Sequence, residues 1–198
     1  MFGVSASRAS AVFLDRDGVL NENMAGGYVT AWRQFRWLPG AAAAIALLNK
    51  QGWKVFVVTN QACIAKGIAS HAAIDGIHDR MLHELRVRGA NVSGVYVCPH
   101  RPEHGCSCRK PRPGMLLQAA EEHGIDLPAS YFIGDSLTDM RAAQAANTQG
   151  ILVRSGLGRS QEEEARRLQA AGHYCDTVLE AVQYITRQGQ LHDPKRRV

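Results

Sequence analysis

The 198-residue sequence predicts an α/β fold in three layers, with a mostly parallel central sheet and helices on both faces. Three observations carry this. Short apolar or β-branched runs alternate with helix-patterned stretches along the whole chain. The polar residues that end several of these runs fall at the carboxyl ends of the predicted strands, where open α/β sheets bind ligands. No internal repeat, low-complexity tract or linker divides the chain, so residues 1–198 are expected to form a single domain.

The elements follow in order. Ala11 to Asp15 reads as a short buried strand, and Gly18 as the turn that lets the chain leave it. Residues 21–38 lack periodicity, and Trp32, Phe35 and Trp37 are expected to pack that loop down. A helix is predicted over Ala41 to Lys50, then a strand over Trp53 to Val58. Ser70 can cap the next helix, whose buried face is marked by Ile74, Ile77, Met81, Leu82 and Leu85 before Gly89 ends it. Val92 to Cys98 gives a third strand. Pro113 is placed to open a helix from Gly114 to His123. Tyr131 to Ile133 and Gly150 to Arg154 are strands around a helix from Thr138 to Ala146. Gln161 to Ala171 reads as a charged amphipathic helix. An extended piece at His173 to Cys175 and a helix from Thr177 to Arg187 follow, then a flexible tail over about 189–198.

Composition bounds the class. The chain is 45% hydrophobic and 21% charged, ordinary for a globular protein. No apolar run approaches the ~18 residues of a membrane span. Met1 to Ser10 lacks the apolar core of a signal peptide, so a cytoplasmic location is expected, with no membrane partner. The net charge of +5 suits an anionic ligand. The basic cluster Lys195-Arg196-Arg197 falls in the tail, and no basic-aromatic stripe points to nucleic acid. A monomer is the expectation, and the charge admits phosphorylated metabolites or nucleic acid as the anionic ligand.

Chemistry concentrates in four places. Asp15 and Asp17 stand at i and i+2 at the end of the first strand, as candidate nucleophile and general acid/base. Thr59, ending the second strand, offers a hydroxyl to a phosphoryl oxygen. Lys110 sits in a proline-stiffened loop and can neutralise a carboxylate and a phosphate; Arg109 can grip a second anionic group. Asp135 ends the fourth strand with Asp139 one helical turn on, and these carboxylates suit Mg²⁺. Together the parts describe phosphoryl transfer through an aspartyl-phosphate.

A fifth cluster points to zinc. Three of the five cysteines lie in residues 98–108, as Cys98-Pro-His100, five residues, then Cys106-Ser-Cys108. Three thiolates and an imidazole close a tetrahedral Zn²⁺ site with no open position, so a structural metal is expected to pin the loop carrying Arg109 and Lys110. His104 is the weaker candidate than His100 on this spacing.

Asp15-Arg16-Asp17-Gly18, Thr59-Asn60-Gln61, Lys110 and Gly134-Asp135-Ser136-x-x-Asp139 resemble the four motifs of the haloacid dehalogenase-like phosphohydrolases. The resemblance spans roughly Val12 to Val153. It implies a Rossmann-like sheet with strand order 5-4-1-2-3. It also implies catalytic roles for Asp15, Asp17, Thr59 and Lys110. Magnesium would be bound by Asp15, Asp135 and the carbonyl of Asp17, with Asp139 in support.

Zinc-loop members of that family with Cys-Arg-Lys-Pro include D-glycero-D-manno-heptose 1,7-bisphosphate 7-phosphatases and histidinol-phosphate phosphatases. Arg109 to Met115 and Gly27 to Val29 are similar to the heptose group, so the 7-phosphate of that bisphosphate is the expected substrate group. Histidinol phosphate is the alternative, and a DNA 3′-phosphate a more distant one. Ala62 and Cys63 depart from the heptose pattern, which places Ser and Gly there. Only 43 residues separate Asp15 from Thr59, and 50 separate Thr59 from Lys110, so no separate cap domain is expected. Specificity then falls to loops, with Tyr28, Asn60, Gln61 and Arg109 as the expected substrate contacts.

Overall fold

The computed structural model describes residues 8–24 and 26–191. Six parallel strands form one sheet in the order β3-β2-β1-β4-β5-β6. They are β1 (Ala11–Leu14), β2 (Lys54–Asn60), β3 (Gly94–Cys98), β4 (Tyr131–Gly134), β5 (Gln149–Val153) and β6 (His173–Cys175). The expected five-strand order is present, with β6 added outside β5.

β1 is central and covered on both faces, which is why its sequence is a continuous apolar run rather than an alternating one. Alternate side chains still part company. Val12 and Leu14 enter one core; Ala11 and Phe13 enter the other. The first core is built with α1 (Ala41–Lys50), α2 (His71–Val87) and α6 (Val178–Leu191). The second takes Met115, Leu116 and Ala119 of α3 (Gly114–His123) and Ala142 and Ala143 of α4 (Leu137–Ala145). A smaller cluster seats α5 (Gly158–Arg167) through Ala165.

α1, α3 and β6 coincide with their sequence-predicted ranges, and Ser70 caps α2 by accepting from the Ala73 amide. Other boundaries move. α5 begins at Gly158 rather than Gln161, because the Leu157 amide is tied to a site carboxylate and sets the helix entry. It ends at Arg167 rather than Ala171, where Gln169 turns left-handed (φ 49°). α6 runs to Leu191, so 189–191 are helical rather than tail; 192–198, including Lys195-Arg196-Arg197, lie outside the described residues.

The aperiodic loop after β1 is closed by stacked Trp32 and Phe35 (centroids 4.7 Å apart) and by Trp37 edge-on to Phe35, with a short 3₁₀ turn at Trp32–Gln34. A second 3₁₀ turn, Pro102–His104, sits in the cysteine loop. Among the described residues no folded module is inserted after β1 or β2. No described helix is long and apolar enough to cross a membrane.

The register aligns the strand ends. Leu14 pairs with Val57 and with Ile133, so Asp15, Thr59 and Asp135 leave the sheet at one edge. Phe13, fully buried and stacked on Phe56, anchors that alignment. Replacing it (Phe13→Ala) should cost about 3–5 kcal/mol of unfolding free energy in a urea titration.

Candidate active site and metal centres

The strand ends converge on a cavity of about 260 Å³ whose wall includes Asp15, Asp17, Thr59, Asn60, Lys110 and Asp135. Lys110 is its electrostatic centre. Its Nζ lies 2.8 Å from Asp15 Oδ1 and 2.7 Å from Asp139 Oδ1, and donates to the Val58 carbonyl at 2.9 Å. The lysine is 3% exposed. Burial alone would depress its pKa, but Asp139 and Asp15 more than offset that and hold it above the usual range.

Asp15 also accepts from the Arg16 amide at 2.8 Å. Burial pushes its pKa well up; Lys110 opposes this, while Asp139 and Asp135 add to it. Asp135 is pushed up to about 7 by burial and by Asp139, against hydrogen bonds from the Leu157 amide and Asn23, both at 2.8 Å. One oxygen from each of Asp15, Asp135 and Asp139 falls within 4.8 Å of the others. Three crowded, desolvated carboxylates are the donor set that a hard divalent cation such as Mg²⁺ relieves. Asp139 fits a supporting place: Oδ1 faces Lys110, and Oδ2 accepts from the Ser136 amide and hydroxyl at 3.1 and 2.6 Å.

The turn after β1 leaves no room for a side chain. Gly18 has φ 87°, and a Cβ there would collide with the Asp135 carboxylate.

Asp17 stands apart from this cluster. Arg16 donates to it from Nε and Nη2 at 2.8–3.2 Å, Asn21 from Nδ2 at 2.8 Å and Gln61 from Nε2 at 2.9 Å. Burial alone would raise its pKa, but the Arg16 guanidinium and these bonds outweigh it and hold Asp17 below the usual carboxylate range. Arg16 is fully buried, and its Nη1 lies 3.0 Å from His78 Nε2 on α2. Gln61 also donates to Thr59 Oγ1 at 2.8 Å. That bond fills an acceptor position on Thr59, so its own O–H is free to donate into the cavity.

The cysteine loop forms a second centre. Cys98, Cys106 and Cys108 sulfurs lie 3.3–3.7 Å apart, and His100 Nδ1 is 3.3 Å from Cys108 Sγ and 3.7 Å from Cys98 Sγ. These are ligand–ligand edges of a compact tetrahedron, and the donor set fits Zn²⁺. His104 is outside the cluster, its ring 5.8 Å from that of His100. Burial and bonds to Cys98 and Cys106 push Cys108 up to about 12, so a cation is what would hold this group as thiolates.

Comparison with known proteins identifies the frame. An HAD-hydrolase-like family model matches residues 107–181. A D-glycero-β-D-manno-heptose-1,7-bisphosphate 7-phosphatase of Pseudomonas aeruginosa is 41% identical over 149 residues, 75% of this chain and 83% of that one. The Escherichia coli enzyme of the same name is 38% identical over 191 residues, 92% and 97% of the two chains. A crystal structure of D,D-heptose 1,7-bisphosphate phosphatase from B. bronchiseptica, complexed with magnesium and phosphate, superposes with TM-score 0.85 at 34% identity, covering 90% and 99%.

The chain belongs to the HAD-like hydrolase family.

In this HAD-like site the structure brings Asp15, Asp17, Thr59, Lys110, Asp135 and Asp139 together. The four expected substrate contacts divide. Asn60 lines the cavity, though its amide also clamps the Lys110 backbone at 3.1 Å both ways. Gln61 is buried behind the wall, with both amide hydrogens directed to Asp17 and Thr59. Arg109 donates to the His100 carbonyl and lines a separate groove beside the cysteine loop. Tyr28 is outside the cavity wall, under the Lys66 ammonium.

Sequence reasoning missed Asn21, Asn23, Arg16, His78 and the Leu157 amide. A polar residue on the apolar stripe Ile74-Ile77-Met81 was the available signal for His78. The Leu157 amide carries no side-chain signal at all.

Two outcomes are expected. Stripping the loop metal with a strong chelator, or Cys108→Ser, should lower Tm and activity together, with metal analysis giving about one zinc per chain. Burial and Arg16 hold His78 down to about 4 from 6.5, against Asp17. The unfolded chain therefore binds a proton that the folded chain refuses, and stability should fall as pH drops from 6.5 towards 4. The loss is up to about 3 kcal/mol. Urea titrations across that window should show a shallower decline for His78→Gln.

Proposed function

We propose that this chain is a magnesium-dependent phosphatase that removes the 7-phosphate of D-glycero-D-manno-heptose 1,7-bisphosphate. The observation that carries the reading is the Asp15–Lys110–Asp139 arrangement facing Asp135 in one cavity, in a chain whose relatives of about 40% identity bear that enzyme's name. Coverage of nearly the full chain by the E. coli relative supports applying the reading to the whole protein. The working unit is taken to be a monomer in the cytoplasm.

Mg²⁺ held by Asp15, Asp135 and the Asp17 carbonyl would supply positive charge against the phosphoryl oxygens. The chain's own groups do the rest. An Asp15 oxygen attacks phosphorus in line, and the bond to the sugar oxygen breaks. Asp17 gives that oxygen its proton. A water then attacks the aspartyl-phosphate, Asp17 takes its proton, and inorganic phosphate leaves with Asp15 and Asp17 restored. The carboxylate form favoured by Arg16, Asn21 and Gln61 is the one needed in the second half. Thr59 donates its free O–H to a phosphoryl oxygen, and Lys110 balances the charge on Asp15. Arg109, in its groove beside the loop, is the proposed contact for the second phosphate, with Tyr28 and Asn60 at the cavity rim.

Phosphate release should be measured on the heptose bisphosphate and on histidinol phosphate, with Mg²⁺ and with EDTA. The expected result is a kcat/KM at least about tenfold higher on the bisphosphate, abolished by EDTA; a preference for histidinol phosphate would sink the substrate assignment. Asp15→Asn should lose at least about a thousandfold in kcat while keeping its zinc and its fold. Near-normal turnover in that variant would rule out Asp15 as nucleophile.

A further inference from the structure

We infer that His78 is a positioning residue for the general acid/base, acting through Arg16. The inference rests on the phosphatase reading above and extends it to a residue 61 positions from Asp17.

The geometry is a relay of three groups. Arg16 is among the largest fully buried side chains, which is a costly place for a guanidinium. Two of its nitrogens face Asp17, and the third, Nη1, faces His78 Nε2 at 3.0 Å. An arginine has no acceptor, so His78 Nε2 must be the accepting nitrogen and the ring must be neutral with its proton on Nδ1. His78 is 5% exposed, and its helix is held by Ile74, Ile77 and Met81 in the core. The helix therefore fixes His78, His78 fixes one end of the guanidinium, and the guanidinium fixes the plane of the Asp17 carboxylate. Without an acceptor at position 78, Nη1 would be buried and unpaired. Arg16 would then turn to find one, and the Asp17 carboxylate would lose its bidentate alignment.

This places a requirement on chemistry rather than on binding. The side chains of Asp15, Lys110, Asp135 and Thr59 make no hydrogen bond to the guanidinium of Arg16 or to the ring of His78. Asp15 meets Arg16 only at its backbone amide, and Thr59 reaches Asp17 only through Gln61, so phosphate capture does not pass through the relay. What depends on it is proton delivery to the leaving oxygen, and the need for that proton varies with the leaving group.

The test compares wild type, His78→Leu, His78→Gln and Asp17→Asn on two substrates with Mg²⁺ present. One is the heptose bisphosphate, which expels an alkoxide. The other is p-nitrophenyl phosphate, whose leaving group departs without a proton. His78→Leu should lower kcat on the sugar phosphate by about tenfold, with KM unchanged, and on the aryl phosphate by less than about threefold. Asp17→Asn should show the same asymmetry, larger. His78→Gln places an acceptor near the position of Nε2 and should restore most of the activity. An equal fall on both substrates, no fall in either, or failure of Gln to rescue a soluble, zinc-loaded enzyme would each overturn the inference. If the wild type turned over neither substrate, the phosphatase reading would fall with it. Wild-type turnover with the expected Asp17→Asn asymmetry, but none in His78→Leu, would overturn the relay alone.

Discussion

The Lys110 ammonium, buried between Asp15 and Asp139, is the contact on which the rest of the site depends. Three separate parts of the chain meet there: the end of β1, the first turn of α4 and the loop after β3. Each brings a charge that would be expensive alone in the interior. Removing one partner from such a set strands the others, at a cost of about 3–5 kcal/mol. The site is thus held by the same electrostatics that it offers to a phosphate.

That arrangement explains the second metal centre. Lys110 arrives on a loop with little apolar content between Pro99 and Pro113. A loop of this kind has no core of its own to fix its exit. The Cys98, His100, Cys106 and Cys108 cluster does that work two residues before the lysine, and Asn60 clamps the lysine backbone from β2. Arg109 serves the same end, spending one nitrogen on the His100 carbonyl. The zinc loop is a rigid arm, and its working tip is Lys110.

Much of this was legible in the sequence, because the signals were local. Strand β1 and helices α1 and α3 read directly from apolar runs, Gly-Pro punctuation and alanine-leucine content. The candidate catalytic carboxylates stood at strand ends, where parallel sheets place ligands. The zinc set was a spacing pattern. What escaped was everything that depends on contacts between distant segments. The start of α5 depends on the Leu157 amide bonding to Asp135, 22 residues away. Gln61 was expected at the substrate because it follows Thr59 and Asn60. Beyond β2, however, the chain turns, carrying Gln61 behind the wall, where its amide donates to Asp17 and Thr59. Asn23 sits only eight residues from Asp15, yet an asparagine in an aperiodic loop carries no pattern that assigns it to Asp135.

Asp15 and Asp17 show how two carboxylates two residues apart acquire opposite environments. Asp15 faces other carboxylates, and burial drives its pKa up; Asp17 faces Arg16, Asn21 and Gln61, and is driven down. Divergent environments around neighbouring acids are how one site runs both nucleophilic and proton-transfer steps. The choice behind Arg16 then matters. A carboxylate at position 78 would bind the guanidinium more strongly than His78 does, and would compete with Asp17 for it. A leucine would leave Nη1 unpaired. A neutral imidazole satisfies that nitrogen without claiming the charge, so the full positive field of Arg16 stays on Asp17. The helix face that buries His78 among Ile74, Ile77 and Met81 keeps the ring neutral by the same burial that fixes it in place.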